Sequence, residues 1–568
     1  MSKPVYVIGT GLSHNGSAVL LKDGQICVAI EKERITRIKH DGGNDNAAIQ
    51  YCLDAEGITL NDVALVVQCA NFEIPDRERF HGKRLLAGTD HPPLVSISHH
   101  LAHAYSAAGT CHFDQCGIMV IDGCGSPFEQ CTDILPETVV SQESLSEKQA
   151  AGMWCEKDSF YHFDGQTVKA LFKDFSQVKT NQSADALRLP ITEHSIGGFY
   201  AAVSHYVFGN MDDVGKLMGL APFGKPGLIN ESAFEFRDNR LFVREEWKKL
   251  LDRPSQNYDM FKTRFSYYAD VAFWAQQEVE KAVETCFRIR LTNFPYEQVS
   301  YSGGVALNAV ANARMLNNGT VKQLYIEPAA GDNGLALGCA FYGWMKVLNQ
   351  PKVPHNGSTC FGKHYQDEEI ELAIKANGLT VRKYPDNELL TLTAQKLRDG
   401  KIVGWFQDGC EFGPRALGHR SILAHPGLAG LGNHINANIK FREDFRPFAP
   451  ATLPHTAPLY FESGRESPYM ILVDKTKSEH LETLKNVTHA NQSARVQTVD
   501  PTWNMRFYGL LERFQNETGI PVLVNTSFNK KGQPIVETPE QSIALFLETA
   551  MDVLVIQSYL LEKANSNC

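Results

Sequence analysis

Two histidines spaced four residues apart constrain the fold of this chain more than any other feature. His99 and His103 fall on one face of a helix, because 3.6 residues per turn place residue i next to residue i+4. The alanines that follow them are strong helix formers. Two imidazoles at this spacing can hold one metal ion. The alternative is a pair of half-buried core histidines, so the interpretation depends on further ligands.

Two aspartates supply candidate ligands. Asp122 follows an apolar strand pattern and opens a glycine-rich turn, and Asp332 lies in a turn between a strand at 324–326 and a helix at 333–348. Ligands of open α/β sheets bind where strands end, so these turns are expected to face one cleft. Two imidazoles with two carboxylates suit Fe(II), Mn(II) or Zn(II), whereas a structural zinc site prefers thiolates.

Length, charge and cysteine usage limit the class of protein. A chain of 568 residues exceeds a single core, so we predict two domains, at 1–350 and 365–568, joined by a Pro- and Gly-rich linker at 351–364. The net charge of −10 argues against a nucleic-acid partner, and no apolar run is long enough to cross a membrane. The 13 scattered cysteines and the absence of a signal peptide predict reduced thiols in the cytoplasm.

The first domain opens with strand, polar turn, strand, tight hairpin, strand, which is typical of the actin-like and sugar-kinase ATPase fold. The first turn contains His14, and its glycines let backbone N–H groups approach an anion. Residues 31–40 are dense in charge and predict a solvated helix face, from which Lys39 and His40 can reach the cleft. Residues 136–180 are polar and predict an irregular insertion.

Two further glycine-rich segments suggest backbone that packs close to a ligand. Lys216 lies in the first, where close helix packing is the competing interpretation. Gly303 and Gly304 follow a strand at 298–301 and open a helix whose N-terminal N–H groups favour anions. Asn308, in the first turn of that helix, can hydrogen-bond a ribose or a phosphate. The segment matches neither a Rossmann nor a Walker motif.

The second domain is predicted to begin with a helix, a strand at 379–383, a helix at 388–397 and a strand at 402–406. It also contains three dense clusters of polar residues. Arg415 lies in the first, Lys440 and Arg446 in the second, and Ser527 and Asn529 in the third. Glycines, prolines and aromatics flank the arginines and fix each guanidinium, whose fork matches phosphate oxygens. In an acidic chain this predicts a pocket for a small phosphorylated substrate. The competing interpretation is a salt-bridge network with Glu411, Glu443 and Asp444.

Eight motifs in this order resemble the carbamoyltransferase family that includes nodulation-factor, cephamycin and tobramycin O-carbamoyltransferases. The resemblance spans nearly the whole chain, with His419 and His425 where relatives are expected to have Asn and Asp. It implies a mixed α/β fold: an N-terminal actin-like domain and a C-terminal domain similar to the YrdC-type carbamoyl-adenylate-forming fold. The motifs are HHLAHAYSA, VIDGCG, GKLMGLAPFGKP, SGGVALN, PAAGDNGLALG, FGPRALGHRSILAHP, KFREDFRPFAP and NTSFN with PIVETP.

The resemblance also implies roles for single residues. His99, His103, Asp122 and Asp332 match the family's metal ligands, with Fe(II) as the expected ion. His14 and Lys39 are the catalytic candidates, and a near-neutral histidine such as His14 could take the acceptor's proton. The implied nucleotide and carbamoyl-adenylate residues are Lys216, Gly303, Gly304 and Asn308. The implied carbamoyl phosphate and ATP residues are Arg415, Lys440, Arg446, Ser527 and Asn529.

The implied reaction makes carbamoyl adenylate from carbamoyl phosphate and ATP, with Mg²⁺ accompanying ATP, and then carbamoylates a hydroxyl of a small metabolite or sugar. We expect the reaction to belong to natural-product biosynthesis, and the enzyme could act as a homodimer. One alternative is N-carbamoylation or threonylcarbamoyl transfer to tRNA, which the negative charge disfavours. The other is a regulatory protein that binds carbamoyl phosphate or nucleotide without turnover, which the complete ligand set disfavours.

Overall fold

The chain forms two compact units. The computed structural model describes residues 3–69, 86, 91–134, 152–179, 194–244, 246–252 and 254–563. The first unit comprises Met1–Cys27 and Gly42–His355, and the second comprises Val28–Asp41 and Asn356–Cys568. The sequence did not predict that Val28–Asp41, near the N-terminus, would group with the C-terminal unit. Among the described residues, no helix has the length and apolar character that a membrane span requires.

The first sheet has five strands in the order β3-β2-β1-β4-β5. Strand β1 pairs antiparallel with β2 and parallel with β4, and β4 pairs parallel with β5. The strand, turn, strand, hairpin, strand opening predicted from the sequence is present. The strands are β1 (Tyr6–Gly11), β2 (Ser17–Lys22), β3 (Gln25–Glu31), β4 (Val63–Cys69) and β5 (Leu94–Ile97).

The second sheet repeats this arrangement in the order β12-β11-β6-β7-β8. Strands β6, β7 and β8 form an antiparallel meander, and β11 and β12 extend it in parallel. A small hairpin, β9 with β10, lies outside it. The strands are β6 (Cys116–Ile121), β7 (Gly152–Phe163), β8 (Val168–Lys179), β9 (Phe234–Arg237), β10 (Arg240–Val243), β11 (Gln298–Ser302) and β12 (Gln323–Ile326).

The prediction of an irregular insertion at 136–180 is wrong for its described part. Strands β7 and β8 occupy that part as a long hairpin, and the rest lies outside the described residues. The segment appeared irregular because buried charged residues interrupt its apolar pattern. Glu156, Lys157, Lys173 and Asp174 are each at most 3% exposed, and ion pairs between the two strands neutralise them.

Helices connect these strands and pack on the sheets. The helix Leu335–Phe341 contacts both β1 and the histidine-bearing helix, and continues as a π-helical turn over Tyr342–Val347. The described α-helices of the first unit are α2 (Asn46–Glu56), α3 (His99–Thr110), α4 (Ile196–Phe208), α5 (Val214–Leu220), α6 (Tyr258–Thr263), α7 (Phe265–Asn293), α8 (Ala309–Asn317) and α9 (Leu335–Phe341), whereas α1 (Lys32–Thr36) groups with the second unit.

The second unit is built on a mixed seven-stranded sheet in the order β18-β15-β19-β14-β13-β20-β21, with apolar clusters on its two faces. Strands β16 and β17 form a separate two-stranded sheet. The described strands of the unit are β13 (Val403–Phe406), β14 (Arg420–Ala424), β15 (Ala449–Thr452), β16 (Asp474–Lys475), β17 (Ser493–Ala494), β18 (Gln497–Thr498), β19 (Val522–Ser527), β20 (Val553–Ile556) and β21 (Tyr559–Glu562). Its further helices are α10 (Asp367–Ala376), α11 (Asp386–Arg398), α12 (Leu431–Ile435), α13 (Ala457–Tyr460), α14 (Met505–Thr518) and α15 (Pro539–Glu548).

The mixed α/β class is confirmed, but three local predictions differ from the structure. The strand predicted at 379–383 is absent, and only Lys383 forms an isolated bridge, to Tyr559. Its apolar residues instead pack partly buried against the core. The end of the predicted linker is bound rather than free, since Phe412 donates its N–H to the Thr359 carbonyl at 2.7 Å. The solvated helix predicted at 31–40 buries Arg34, which is 1% exposed.

Candidate metal centre and candidate anion site

Helix α3 and two strand ends bring four candidate ligands together in the first unit. His99 and His103 are fully buried, with their Nε2 atoms 3.1 Å apart. The Nε2 of His99 lies 3.1 Å from Asp122 Oδ2, directly after β6, and 3.4 Å from Asp332 Oδ1, after β12. One ligand atom from each residue lies within 4.8 Å of all the others.

The loop after β11 positions Asp122. Gly303 has a φ of +94°, and a Cβ there would lie 2.3 Å from the Ile121 carbonyl oxygen, so this close approach requires glycine. The Gly304 N–H donates to Asp122 Oδ1 at 2.8 Å. The strand–Gly–Gly segment predicted to bind nucleotide therefore also fixes one carboxylate of the cluster.

The protonation states of the cluster favour a cation. Burial lowers the pKa of His103 to about 3, which leaves a neutral imidazole. Burial opposes charge on Asp122 and Asp332, but His99 outweighs it and holds both carboxyl pKa values below their usual range. Burial likewise opposes a proton on His99, but the two carboxylates raise its pKa well above normal. A metal ion binding here would displace that proton.

The residues fit a divalent transition metal. Two imidazoles and two carboxylates form a mixed nitrogen and oxygen set, and the paired carboxylates leave a buried negative charge. The second ring nitrogen of His103 lies 3.3 Å from Ser302 Oγ, which orients the ring as outer partners of metal-bound histidines do. His100 turns away from the group, with its Nδ1 2.7 Å from Ser159 Oγ.

His14 lies at the edge of this cluster. Its Nδ1 is 3.2 Å from Asp332 Oδ2, and its side chain is 61% exposed. The Asp332 carboxylate raises the pKa of His14 to about 9. His14 can therefore take a proton from an acceptor only when its pairing with Asp332 is relieved.

The other residues predicted for the first site have different surroundings. Asn308 is buried and engaged, since its Oδ1 accepts the Ala311 N–H and its Nδ2 donates to Gln276 Oε1, each at 3.1 Å. Lys216 pairs with Asp213 at 2.5 Å. Lys39 groups with the second unit, where its charge is among those that lower the pKa of Lys440.

Lys440 is the centre of the second candidate site. It is 3% exposed, and its Nζ donates to Asn529 Oδ1 and the Ser527 carbonyl at 2.6 Å, and to the Asn529 carbonyl at 2.8 Å. Ser527 Oγ donates to Asn529 Oδ1 at 2.7 Å. Burial, followed by Arg442 and Arg446, lowers the pKa of Lys440 well below normal. Three of the five residues predicted for this site are therefore in direct contact.

Arginines surround this lysine. Burial, followed by the charge of Arg446, lowers the pKa of Arg415 to about 10 and that of Arg442 to about 9. Shifts of this sign arise where cations are desolvated beside one another, and an anion would relieve them. Arg446 also has a carboxylate nearby, with Glu443 Oε2 3.9 Å away.

Arg495 belongs to this cluster, and sequence reasoning missed it. Burial and the charges of Arg415, Arg442 and Arg446 lower its pKa well below normal, and its buried Nε has no hydrogen-bond partner among the described residues. It lies between the short strands β17 and β18, in a sequence with no cationic or glycine-rich signal. The pairing of β17 with β16 and of β18 with β15 positions this residue.

The competing salt-bridge interpretation explains little of this cluster. Within the described part of the chain, Arg415, Lys440, Arg442 and Arg495 form no ion pair with a carboxylate. Glu411 instead accepts backbone N–H groups of Leu417 and His419, each at 2.7 Å.

A buried pair within the second unit supports the loop that leads to Arg415. Arg34 pairs with Glu31 at 2.9 Å and donates to the Gly413 carbonyl at 2.6 Å. Glu31 accepts the Gly413 N–H at 2.6 Å. The charged segment predicted to be solvated therefore holds the loop of the anion site.

Comparison with known proteins gives the family. The model described as carbamoyltransferase N-terminus matches residues 7–77 and 69–341, and the one described as carbamoyltransferase C-terminus matches residues 394–563. Nodulation protein NolNO of Sinorhizobium fredii is 31% identical over 98% of this chain and 80% of its own length. The 3'-hydroxymethylcephem-O-carbamoyltransferase of Amycolatopsis lactamdurans is 31% identical over 57% of this chain and 60% of its own length.

A more distant likeness is seen among solved structures. The HypF protein of T. kodakarensis is 13% identical with a TM-score of 0.35, over 61% of this chain and 48% of that chain. The two family models together cover most of this chain. This chain is thus a transferase that belongs to the carbamoyltransferase family.

Proposed function

We propose that this enzyme makes carbamoyl adenylate from carbamoyl phosphate and ATP and then transfers the carbamoyl group to a hydroxyl of a small-molecule acceptor. Hydrolysis of carbamoyl phosphate gives carbamate and phosphate. A carbamate oxygen then attacks the α-phosphorus of ATP and expels pyrophosphate. The acceptor hydroxyl attacks the carbamoyl carbon, and AMP leaves. The first two steps are assigned to the second unit and the transfer to the first.

The observation that carries this proposal is the cluster of buried cations around Lys440. Four cationic side chains that form no ion pair with a described carboxylate, in a chain of net charge −10, are costly to bury together, and a bound anion would offset that cost. Carbamoyl phosphate and the triphosphate of Mg-bound ATP are such anions. The same cations would stabilise negative charge on the transferring phosphoryl group and on the leaving pyrophosphate.

The first unit supplies the groups that the transfer needs. His99, His103, Asp122 and Asp332 would hold a divalent ion, for which the family resemblance implies Fe(II). When bound, such an ion supplies Lewis acidity toward a phosphate or carbonyl oxygen. His14 would accept the proton of the acceptor hydroxyl once its pairing with Asp332 is relieved. Gly303 and Gly304 are assigned to a nucleotide phosphate, although the Gly304 N–H already donates to Asp122 Oδ1.

A relative named for its cephem substrate suggests a hydroxylated natural product as the acceptor. The acidic charge of the chain gives less support to tRNA as an acceptor, and the family match gives less support to a sensor without turnover. ATP and carbamoyl phosphate as substrates, with the described cysteines all unpaired, favour a cytoplasmic location.

The proposal is tested by pyrophosphate release from ATP. We expect release to require carbamoyl phosphate, and to require no acceptor. A screen of hydroxylated metabolites by mass spectrometry should then find one product that carries the carbamoyl increment. Binding of both substrates without pyrophosphate release would contradict the proposal and favour a sensor.

A further inference from the structure

Helix α3 begins without a capping bond from its own N-cap side chain. The first N–H groups of a helix lack partners inside it, and an N-cap side chain usually accepts one of them. Here Ser98 Oγ donates to Asp133 Oδ1 at 3.1 Å instead. Ser126 Oγ accepts the His99 N–H at 2.9 Å, and Glu156 Oε2 accepts the His100 N–H at 3.1 Å. The helix that carries both candidate histidine ligands is therefore anchored from outside.

Glu156 joins this helix to the loop that carries Asp122. The same Oε2 atom also accepts the Ser126 N–H at 3.0 Å. The backbones are paired as well, since the Glu156 N–H donates to the Ser126 carbonyl at 3.1 Å and the Gly125 N–H to the Glu156 carbonyl at 2.9 Å. A Cβ on Gly125 would lie 2.7 Å from Glu156 Cβ, so glycine permits this approach.

A lysine neutralises this carboxylate. Lys173 Nζ lies 2.5 Å from Glu156 Oε1 and 2.7 Å from Asp133 Oδ1, and the side chains of Lys173 and Glu156 are fully buried. The possible metal-ligand atoms of Cys131, Asp133 and Glu156 lie close enough together to hold a cation. The ammonium of Lys173 already provides that cation, so this group is a support for α3 and not a second metal site.

We propose that Glu156 and Ser126 are positioning residues for the candidate metal centre, an inference that rests on the proposed function. They set the first turn of α3, and thus His99, against the loop that begins at Asp122. His99 Nε2 and Asp122 Oδ2 lie only 3.1 Å apart, so a small shift of the helix changes the distance between two ligands. Loss of such outer partners typically weakens metal binding about 10–100-fold.

The competing explanation is that Glu156 contributes only to folding, as any buried ion-pair partner does. The same two strands offer a matched control. Lys157 and Asp174 lie next in sequence to Glu156 and Lys173, and they form a 3.0 Å pair with side chains 1% exposed. This pair is as deeply buried, but no hydrogen bond joins either described side chain to α3 or to the Asp122 loop.

The experiment is a Co²⁺ titration of the full-length chain, with a competing chelator for affinity and the visible absorption spectrum for ligand geometry. Thermal unfolding of the chelated proteins reports stability separately. We expect Glu156→Gln and the uncharged variant Ser126→Ala to bind Co²⁺ about 10–100-fold more weakly and with an altered spectrum. Asp174→Asn should lower the melting temperature while keeping the wild-type affinity and spectrum.

Two results would overturn the inference alone: wild-type Co²⁺ affinity and spectrum in both Glu156→Gln and Ser126→Ala, or an equal loss of affinity in Asp174→Asn. A wild-type chain that binds no Co²⁺ would remove the candidate metal centre and the inference together. Pyrophosphate release, assigned to the second unit, then shows separately whether the rest of the proposed function stands.

Discussion

Single side chains in the two candidate sites carry buried charge of opposite sign. In the first unit, Asp122 and Asp332 place two carboxylates beside one another in a buried cluster. In the second unit, burial followed by the charge of Arg446 lowers the pKa of Arg415 and of Arg442. Burial followed by the charges of neighbouring arginines lowers the pKa of Arg495. Buried charges of one sign are costly in an isolated protein. Each group is therefore consistent with the ligand we propose for it: a cation in the first unit and a phosphorylated anion in the second.

Arg495 provides a test at this scale. We expect Arg495→Ala to reduce carbamoyl-phosphate-dependent pyrophosphate release roughly 100-fold, since a lost charge-assisted contact costs about 2–3 kcal/mol. Stability without substrate should not fall, because the change removes a desolvated charge that three arginines repel. Steady-state rates and thermal melts check both. Arg398→Ala removes an exposed arginine paired with Glu517 and should leave release unchanged. Loss of stability with normal release would contradict a role in anion binding.

Glu327 makes stability depend on pH. Burial raises the pKa of this carboxyl to about 8, whereas it ionises near 4.5 in the unfolded chain. Below about pH 4.5 both the folded and the unfolded chain hold this proton, so Glu327 adds no pH dependence there. Between about pH 4.5 and 8 only the folded chain holds it, so the free energy of unfolding falls as the pH rises. Relative to wild type, Glu327→Gln should gain up to about 5 kcal/mol across that range.

Chemical denaturation of both proteins at a series of pH values measures this difference. Glu297→Gln, at an exposed carboxylate with a side chain 73% exposed, serves as the control and should change the pH profile little. Parallel profiles for Glu327→Gln and wild type would show that Glu327 is ionised in the folded chain.

At the scale of elements, the contact between α3 and α9 brings the histidines and Asp332 together. A Cβ on Gly338 of α9 would lie 1.7 Å from the Ala102 carbonyl oxygen of α3. The two helix backbones can therefore approach only at glycine. Asp332 stands directly before α9 in the chain, and His99 and His103 lie on α3. The helix spacing thus fixes the distance between ligands that are far apart in sequence.

Gly338→Ala should force these helices apart. We expect a loss of stability of about 1–3 kcal/mol or more, as for other overpacked cores, together with weaker metal binding. Gly215→Ala is the matched control, because this glycine also lies in a helix but has open space around its Cβ position. There, alanine should stabilise the chain by up to about 1 kcal/mol through helix propensity. Denaturant unfolding distinguishes the two, and equal effects would contradict the packing argument.

At the scale of the whole molecule, the sheet β12-β11-β6-β7-β8 belongs wholly to the first unit, and the seven-stranded sheet of the second unit has apolar cores on both faces. Damage to one candidate site should therefore leave the other folded. The first unit contains the candidate metal centre and the second the candidate anion site. The two proposed half-reactions are expected to be separable by mutation.

His99→Ala and Arg446→Ala test this separation. His99→Ala should still release pyrophosphate but fail to carbamoylate any acceptor, even when synthetic carbamoyl adenylate is supplied, because a metal ligand is lost. Arg446→Ala should lose pyrophosphate release by roughly 100-fold and recover acceptor product when the adenylate is supplied. Both products are measured side by side, with and without the adenylate. Normal transfer by His99→Ala from added adenylate would show that the cluster is not needed for transfer.

Local patterns were sufficient to predict the mixed α/β class, the helix at His99–Thr110 and most strands around the sites. The spacing of His99 and His103 follows from helix geometry alone, so the sequence determines that they share a face. The motifs also placed Asp122 and Asp332 at strand ends, where the structure has them. These features depend on neighbours within a few residues, which a sequence displays directly.

The tertiary structure decided which charged residues are buried and which partners neutralise them. Glu156 and Lys173 lie in a segment that reads as polar and irregular, yet they form a buried pair between two strands. Arg34 was predicted to lie on a solvated helix, but it is buried. The sequence around Arg495 contains no motif that predicts a role in anion binding. The free energy of a buried charge depends on groups that are distant in sequence, so the residues that support both sites became visible only with the chain folded.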